Sequence, residues 1–250
     1  MQLAHINLGQ ALDVAVKMDL VPRNVVDVVD QPRYRAREMQ CWTPEEAQRF
    51  IAVADQSIYG PIWLLALVTG MRKGELLGLR WQDISFEEKV LQVRQTVGVL
   101  HGKIEFKGTK RPASKRTIDL DDPILAVLRA HRLRQNAHRL QMGLRWEDHD
   151  LVFPSSVGTP VNPDNCDLDF ARLVRLAGVK QIRIHDTRHS YATLAILSGV
   201  PINVVSQSMG HADIATTLRT YAHVMPEQRR ELARKMSALL LSPSSAESVG

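Results

Sequence analysis

Apolar residues recur at helical spacing through most of the chain, and this pattern predicts a mainly helical protein. Thr43, Pro44 and Glu46 form a helix start in which a capping threonine, a first-turn proline and a capping-box glutamate agree. Asp122 and Asn162, each followed by proline, are predicted to cap two further helices. One predicted helix begins at residue 44. The other predicted helices cover residues 8–20, 61–69, 72–79, 123–142, 163–177, 185–198, 202–209, 214–221 and 226–240.

Between the helices predicted over residues 72–79 and 123–142, the hydrophobic pattern changes from helical spacing to alternation. Residues 90–97 alternate as a strand does, and His101-Gly102 can turn the chain into a second strand over residues 103–106. Residues 116–120 read as a third short strand. The sequence therefore predicts an α+β fold, mainly helical, with a small antiparallel three-stranded sheet.

The first part of the chain is predicted to be separate from the rest. The helix near the N-terminus stops at Pro22, and residues 30–37 are polar, basic and proline-bearing, as linkers are. A single helix before a linker cannot bury a core of its own. Residues 1–38 are therefore predicted to be the end of an upstream domain with its linker, residues 39–241 a single large domain, and residues 242–250 a flexible tail.

Composition narrows the class of protein. The chain has 250 residues, of which 44% are apolar, so it can bury a sizeable core. A net charge of +5 and a pI near 9.4 favour a polyanionic partner such as nucleic acid. Cys41 and Cys166 lie far apart and outside any metal-binding spacing, so they are predicted to be reduced thiols. The longest apolar run, residues 62–68, is too short to span a bilayer, which predicts a soluble intracellular protein.

The candidate chemistry lies mainly between residues 185 and 221. Arg188 can hold two phosphate oxygens with its planar guanidinium, and His185 and His211 can donate hydrogen bonds or move protons near neutral pH. Tyr221 can serve as an oxygen nucleophile. Arg72 lies at a predicted helix start, where an anion is favoured. Together these residue types suit chemistry at a phosphodiester.

Two of the basic groups also have structural interpretations. The predicted hairpin region, residues 103–116, holds six basic residues and one acid, Glu105. This excess of positive charge predicts non-specific affinity for DNA, but a solvated basic surface would have the same composition. Arg72 could equally form an ion pair with Glu75 at i,i+3. The six basic residues are Lys103, Lys107, Lys110, Arg111, Lys115 and Arg116.

Three stretches carry a resemblance to a known family. Residues 69–84 contain Thr-Gly-Met-Arg followed by Glu75, residues 110–118 contain Lys-x-x-x-Ser-x-Arg-Thr-Ile, and residues 185–221 contain His-x-x-Arg, Gly-His and a tyrosine. In this order they are similar to the first arginine box, the β-hairpin lysine segment and the second box of tyrosine recombinases, the phage integrase family. The resemblance covers about residues 40–240. Thr187 and Met209 stand where leucine is commoner in the family.

The resemblance implies an enzyme with the tyrosine recombinase catalytic fold that cleaves and rejoins DNA through a 3′-phosphotyrosine. It implies that no metal, ATP or other cofactor is needed. The implied roles are phosphate clamping by Arg72, Arg188 and His211, proton removal by His185, proton donation by Lys110 or, with another turn length, Lys107, and nucleophilic attack by Tyr221. Further DNA contacts are expected from Lys107, Arg111, Lys115 and Arg116.

The resemblance also implies partners and a location. The expected partner is double-stranded DNA at attachment sites, bound by a homotetramer that is monomeric when free, without membrane contact. The expected location is the bacterial cytoplasm, on the nucleoid when DNA is bound. Residues 1–38 would be the end of a core-binding domain with its linker.

Three other functions remain open from the sequence. The chain could be a DNA-binding protein without catalysis, a type IB topoisomerase-like enzyme, or a metal-dependent nuclease. The nuclease would need clustered carboxylates near the histidines, where Asp186 is the candidate. Residues of suitable type that lie outside the family's positions are expected to be structural, namely Tyr59, His189, Tyr191 and His223.

Overall fold

A computed structural model describes residues 2–30, 40–108, 115–211, 213–221, 233–237 and 240–241. The chain divides into two compact units, Met1–Met39 and Gln40–Gly250. In the first unit, helix α1 (Gln2–Lys17) is followed by a 3₁₀ helix, Val25–Val28. Asn24 ties the two together, because its side-chain amide donates to the Gly9 carbonyl at 3.1 Å and to Asp13 at 2.7 Å.

The second unit is built mainly from helices, as predicted. They are α2 (Pro44–Ala54), α3 (Gly60–Thr69), α4 (Lys73–Leu77), α5 (Asp122–Met142), α6 (Pro163–Ala177), α7 (Ile184–Leu197), α8 (Ile202–Met209) and α9 (Ile214–Tyr221). Residues 233–237 and 240–241 are also helical. The rest of the helix predicted over residues 226–240, and the predicted tail over residues 242–250, lie outside the described residues.

The capping predictions are confirmed at two helices and wrong at a third. Thr43 and Glu46 form the predicted capping box of α2, and Asn162 caps α6. At α5 the cap is Asp121, whose side chain accepts from the Ile124 amide, and not Asp122. Asp122 lies inside the first turn and pairs instead with Lys89 at 2.8 Å.

A three-stranded antiparallel sheet is present, as predicted, but its strands differ: residues 84–85 were not predicted to join it, and residues 103–108 lie in a separate hairpin. The sheet joins β1 (Ile84–Ser85), β2 (Val90–Val93) and β5 (Arg116–Asp119), with β2 in the centre. The run predicted as one strand over residues 90–97 is divided at Arg94, after which the chain enters a separate hairpin. That hairpin consists of β3 (Gln95–Leu100) and β4 (Lys103–Gly108).

The predicted turn between the hairpin strands is confirmed. His101 and Gly102 have φ angles of 50° and 76°. A two-residue loop with two positive φ values is a type I′ turn, whose twist matches that of the flanking strands. The turn also fixes the register in which Leu100 pairs with Lys103.

The main core is organised around four aromatic rings. Phe50 lies 4.6 Å from the ring of Trp42 and 5.3 Å from that of Phe170, and Trp63 lies 5.0 Å from Phe170. The Trp42 amide also donates to the Ser190 hydroxyl on α7 at 3.0 Å, so this core fixes α7 in place.

A smaller apolar cluster joins the last three helices. It consists of buried side chains from α7, α8 and α9, namely Ala192, Ile196, Val205, Met209 and Tyr221.

Cys41 and Cys166 are free thiols, as predicted. Among the helices in the described part of the chain, none combines the length and the apolar character needed to span a membrane.

Phe50 tests whether the aromatic core carries the stability of the second unit. We expect Phe50→Ala to lower the free energy of unfolding by about 3–5 kcal/mol, because the fully buried ring leaves a cavity among three other aromatic rings. Denaturant titration followed by tryptophan fluorescence measures the change. Leu140→Ala is the control, since a side chain that is 83% exposed should change stability by less than about 0.5 kcal/mol. Equal losses in both variants would contradict this account of the core.

Candidate active site

A buried arginine connects three helices at the centre of the site. Arg188 on α7 is 3% exposed, and its guanidinium donates to the Gly70 carbonyl at 2.6 Å and to the Met209 carbonyl. These carbonyls lie at the C-terminal ends of α3 and α8, where the helix dipole is negative. Burial, with the charges of Arg72 and Arg116, lowers the pKa of Arg188 to about 9, so the side chain remains a cation at neutral pH.

Gly70 has the backbone conformation that brings its carbonyl to Arg188. Its φ is 60°, in the left-handed region, where it closes the C-terminus of α3. A Cβ at this position would lie 2.4 Å from Cδ1 of Tyr191. Both the φ angle and the contact therefore require glycine at the point where α3 meets α7.

A buried carboxylate holds two further arginines beside this centre. Glu75 is 4% exposed and accepts from the Arg72 amide at 2.8 Å and from the Arg72 guanidinium at 2.9 Å. Arg116 binds the same carboxylate through both terminal nitrogens, at 3.1 and 2.9 Å. Although burial acts to raise the pKa of Glu75, the hydrogen bonds and charge of Arg116, with those of Arg72, hold it below its usual value. Glu75 is therefore ionised at neutral pH.

Arg72 and Arg188 both line one open cavity. Its volume is about 590 Å³, and His185 lines it together with the two arginines. The acid in its wall, Asp167, is paired with Lys73 at 2.9 Å. The ion pair between Arg72 and Glu75 that the sequence left open is present, yet 41% of the Arg72 side chain stays exposed. The cavity therefore offers fixed positive charge to an anion.

Two of the predicted histidines lie within the field of these cations. Burial, followed by the charge of Arg188, lowers the pKa of His185. Burial, followed by the charges of Arg188 and Arg72, lowers the pKa of His211 to about 4. The Nδ1 atom of His211 is hydrogen-bonded to the Thr217 hydroxyl at 2.7 Å. Both imidazoles are therefore neutral at physiological pH, and α9 orients His211.

Tyr221 is buried, and its hydroxyl is bound to a histidine that the sequence analysis set aside. The side chain is fully buried, and its Oη lies 2.7 Å from Nδ1 of His189. Burial raises the pKa of the phenol. The His189 ring stands 5.1 Å from that of His185, one helical turn away on α7. Its i,i+4 spacing from His185 was the sequence signal that could have placed both on one face.

The basic residues predicted to contact DNA occupy different environments. Lys107 is half-buried on β4 opposite Thr96, and Lys115 is exposed. The Arg116 side chain is 6% exposed, and it donates to the Ser208 carbonyl at 2.6 Å as well as to Glu75. Lys110 and Arg111 lie outside the described residues. Within the described ranges, no three His, Cys, Asp or Glu side chains come together as a possible metal site.

Comparisons with known proteins agree with this architecture. Residues 41–228 match the sequence model of the phage integrase family. A tyrosine recombinase XerC-like protein of Caldanaerobacter subterraneus is 30% identical in an alignment of 217 residues that covers 82% of this chain and 55% of that protein. The ICEBs1 integrase of Bacillus subtilis is 28% identical over 236 residues, covering 94% of this chain and 64% of the relative. The chain thus spans between about half and two thirds of the length of these relatives.

Solved structures show the same fold. The Tn1549 transposon integrase, in complex with a circular intermediate DNA, has a TM-score of 0.74 with 20% identity, over 93% of this chain and 78% of that chain. The XerA recombinase has a TM-score of 0.61 with 23% identity, over 91% of this chain and 73% of that chain. The predicted α+β, mainly helical recombinase fold is confirmed. Because the family model covers most of the chain, this protein belongs to the phage integrase family.

Proposed function

We propose that this chain is the catalytic part of a site-specific DNA recombinase, which cleaves and rejoins DNA through a 3′-phosphotyrosine at Tyr221. One observation carries the proposal. Arg72 and Arg188 line the same cavity, while the helix that bears Arg188 also holds the Tyr221 hydroxyl through His189. A phosphate binder and an oxygen nucleophile are thus supported by one rigid element.

In the proposed reaction, Oη of Tyr221 attacks the scissile phosphorus and gives its proton to a histidine of α7, and the bond from phosphorus to the 5′-oxygen breaks. Arg72 and Arg188 stabilise the charge on the non-bridging oxygens, His211 adds a hydrogen bond, and His185 is the base that the family resemblance implies. The leaving 5′-oxygen takes a proton from Lys110. A 5′-hydroxyl of a partner strand then attacks the phosphotyrosine and releases Tyr221. Because the ester bond keeps the energy of the cleaved bond, the cycle needs no ATP, and the fixed cations replace a metal.

The proposed partner is double-stranded DNA at attachment sites. The similar structures include the Tn1549 integrase with a circular intermediate DNA and a lambda integrase dimer bound to a core site. We propose that this chain is monomeric when free and forms a homotetramer on DNA, in the bacterial cytoplasm and on the nucleoid. Residues 1–38 are proposed to be the end of a core-binding domain with its linker, residues 39–241 the catalytic domain, and residues 242–250 a tail.

Covalent trapping tests the nucleophile. We expect the wild-type chain to form a protein–DNA adduct on nicked duplexes that span candidate sites, and Tyr221→Phe to form none, because phenylalanine has no attacking oxygen. The measurement is a denaturing gel, run after incubation with EDTA present. DNA binding on a native gel should be nearly unchanged in Tyr221→Phe.

Tyr191→Phe is the matched control for this experiment, because the Tyr191 hydroxyl bonds Ser208 at 2.8 Å and has no proposed role in cleavage. It should form the adduct. An adduct in Tyr221→Phe would contradict the assignment, and loss of all cleavage in EDTA would favour a metal nuclease. Transfer of the trapped strand to a second duplex distinguishes a recombinase from an enzyme that only reseals one duplex.

We expect Arg116 to contribute mainly to the stability of the fold and less to DNA binding. We predict that Arg116→Met lowers the free energy of unfolding by about 3–5 kcal/mol, because it leaves the buried carboxylate of Glu75 with Arg72 alone. Since the pKa of Glu75 is lowered in the folded chain, this contribution is present above the unfolded pKa of about 4.3 and shrinks as the pH falls through the folded value. Denaturant titration at neutral and acidic pH measures both effects.

Lys115→Met is the control for Arg116, because Lys115 is the preceding residue and is exposed. It should change stability by less than about 0.5 kcal/mol and weaken DNA binding mainly at low salt. If Arg116→Met kept the wild-type stability while DNA binding fell, Arg116 would be a direct DNA contact instead.

A further inference from the structure

The two histidines of α7 face different parts of the site. His185 lines the cavity together with Arg72 and Arg188. His189 lies one turn further along the helix, with its Nδ1 atom 2.7 Å from the Tyr221 hydroxyl. The two rings meet edge to face, with centroids 5.1 Å apart. One histidine thus faces the anion site, and the other faces the oxygen that would attack it.

We propose that His189, and not His185, takes the proton from Tyr221 during DNA cleavage. This inference rests on the proposed role of Tyr221 as the nucleophile. In the neutral imidazole with hydrogen on Nε2, Nδ1 is an acceptor, and the phenol is the donor that it binds. A general base must lie within hydrogen-bond reach of the proton that it removes, and His189 meets this requirement.

In the proposed cleavage step, one phosphorus–oxygen bond forms and another breaks. The bond from Tyr221 Oη to phosphorus forms, the bond from phosphorus to the 5′-oxygen breaks, and the phenolic proton moves to Nδ1 of His189. The 5′-oxygen takes its proton from the separate donor, Lys110. When a 5′-hydroxyl later displaces Tyr221, its proton passes back to the Lys110 amine, and the His189 imidazolium returns its own proton to the departing phenolic oxygen. His185 remains free to bind a phosphate oxygen in both steps.

The surroundings of His189 keep it in the form that accepts a proton. The groups that face it are His185, Asp186, Arg188 and Arg183 from α7 and its N-cap, and Tyr221 and His211 from other elements. Burial, followed by His185 and despite Asp186, lowers the pKa of His189 to about 4, so its imidazole is neutral at physiological pH. A weak base is sufficient, because the phenolic oxygen loses its basicity as its bond to phosphorus forms.

The test measures single-turnover adduct formation on DNA whose 5′-bridging oxygen is replaced by sulfur. A thiolate leaves without a proton donor, so the rate reports the attack by Tyr221. His189→Asn keeps a hydrogen-bond acceptor near the position of Nδ1 but cannot take a proton at neutral pH. We expect the rate to fall by about 10²- to 10⁴-fold, and to recover by up to about tenfold per pH unit as hydroxide replaces the base. His189→Gln should behave in the same way.

A structural role for His189 would give a different result. It would lower the rate equally at every pH between about 6 and 10. That outcome, or a His189→Asn rate within about threefold of wild type, would overturn the proposal. The proposal would also be overturned if the rate of adduct formation recovered with rising pH in His185→Asn and did not recover in His189→Asn. Native-gel DNA binding and the melting temperature of each variant show whether the fold is retained.

His138→Asn is the matched control, since His138 is half-buried on α5 and bonds the Ser156 carbonyl, outside the proposed site. It should react at the wild-type rate with the wild-type pH profile. If the wild-type chain and His138→Asn both form no adduct, the proposed function fails, and this inference fails with it. If both form the adduct and His189→Asn matches them, only the role of His189 is wrong.

Discussion

The arrangement of the site depends on the burial of one cation, Arg188, to which no carboxylate of the described residues is bound directly. The hydrogen bonds of Arg188 run to the last carbonyls of α3 and α8, whose partial negative charges offset only part of the cost of removing a guanidinium from water. An anion in the adjoining cavity would offset more of it. Folding thus prepares a site that favours an anion such as phosphate, and the cation is already oriented before the anion arrives.

A second arginine binds the same end of α8. Arg116 reaches from β5 to the Ser208 carbonyl and to Glu75, while Arg188 reaches from α7 to the next carbonyl, Met209. Glu75 in turn fixes Arg72 at the start of α4. The sheet, the first arginine and the last helices are thus connected through charged hydrogen bonds. A change at any of these positions should therefore be felt at the others, because buried polar networks are not additive.

The sequence predicted what depends on local chemistry. The capping box of α2, the cap of α6 and the His101-Gly102 turn each need only neighbouring residues, and each is confirmed. The strand partners were not predictable in this way, since Arg116 pairs with Val93 across more than twenty positions of chain.

Residue type alone also does not predict which basic residues are buried. Arg116 looked like its exposed neighbour Lys115, and only packing against α4 and α8 distinguishes the two. His189 was set aside because it lies outside the family's positions, and its contact with Tyr221 forms only in the folded chain.

The full burial of Tyr221 has a consequence for the proposed function. A basic protein spends much of its time on DNA of arbitrary sequence, where charge alone holds it. Under the proposed function, a buried Tyr221 would let the protein search a chromosome without nicking it, because cleavage would await access of the phosphate to Tyr221.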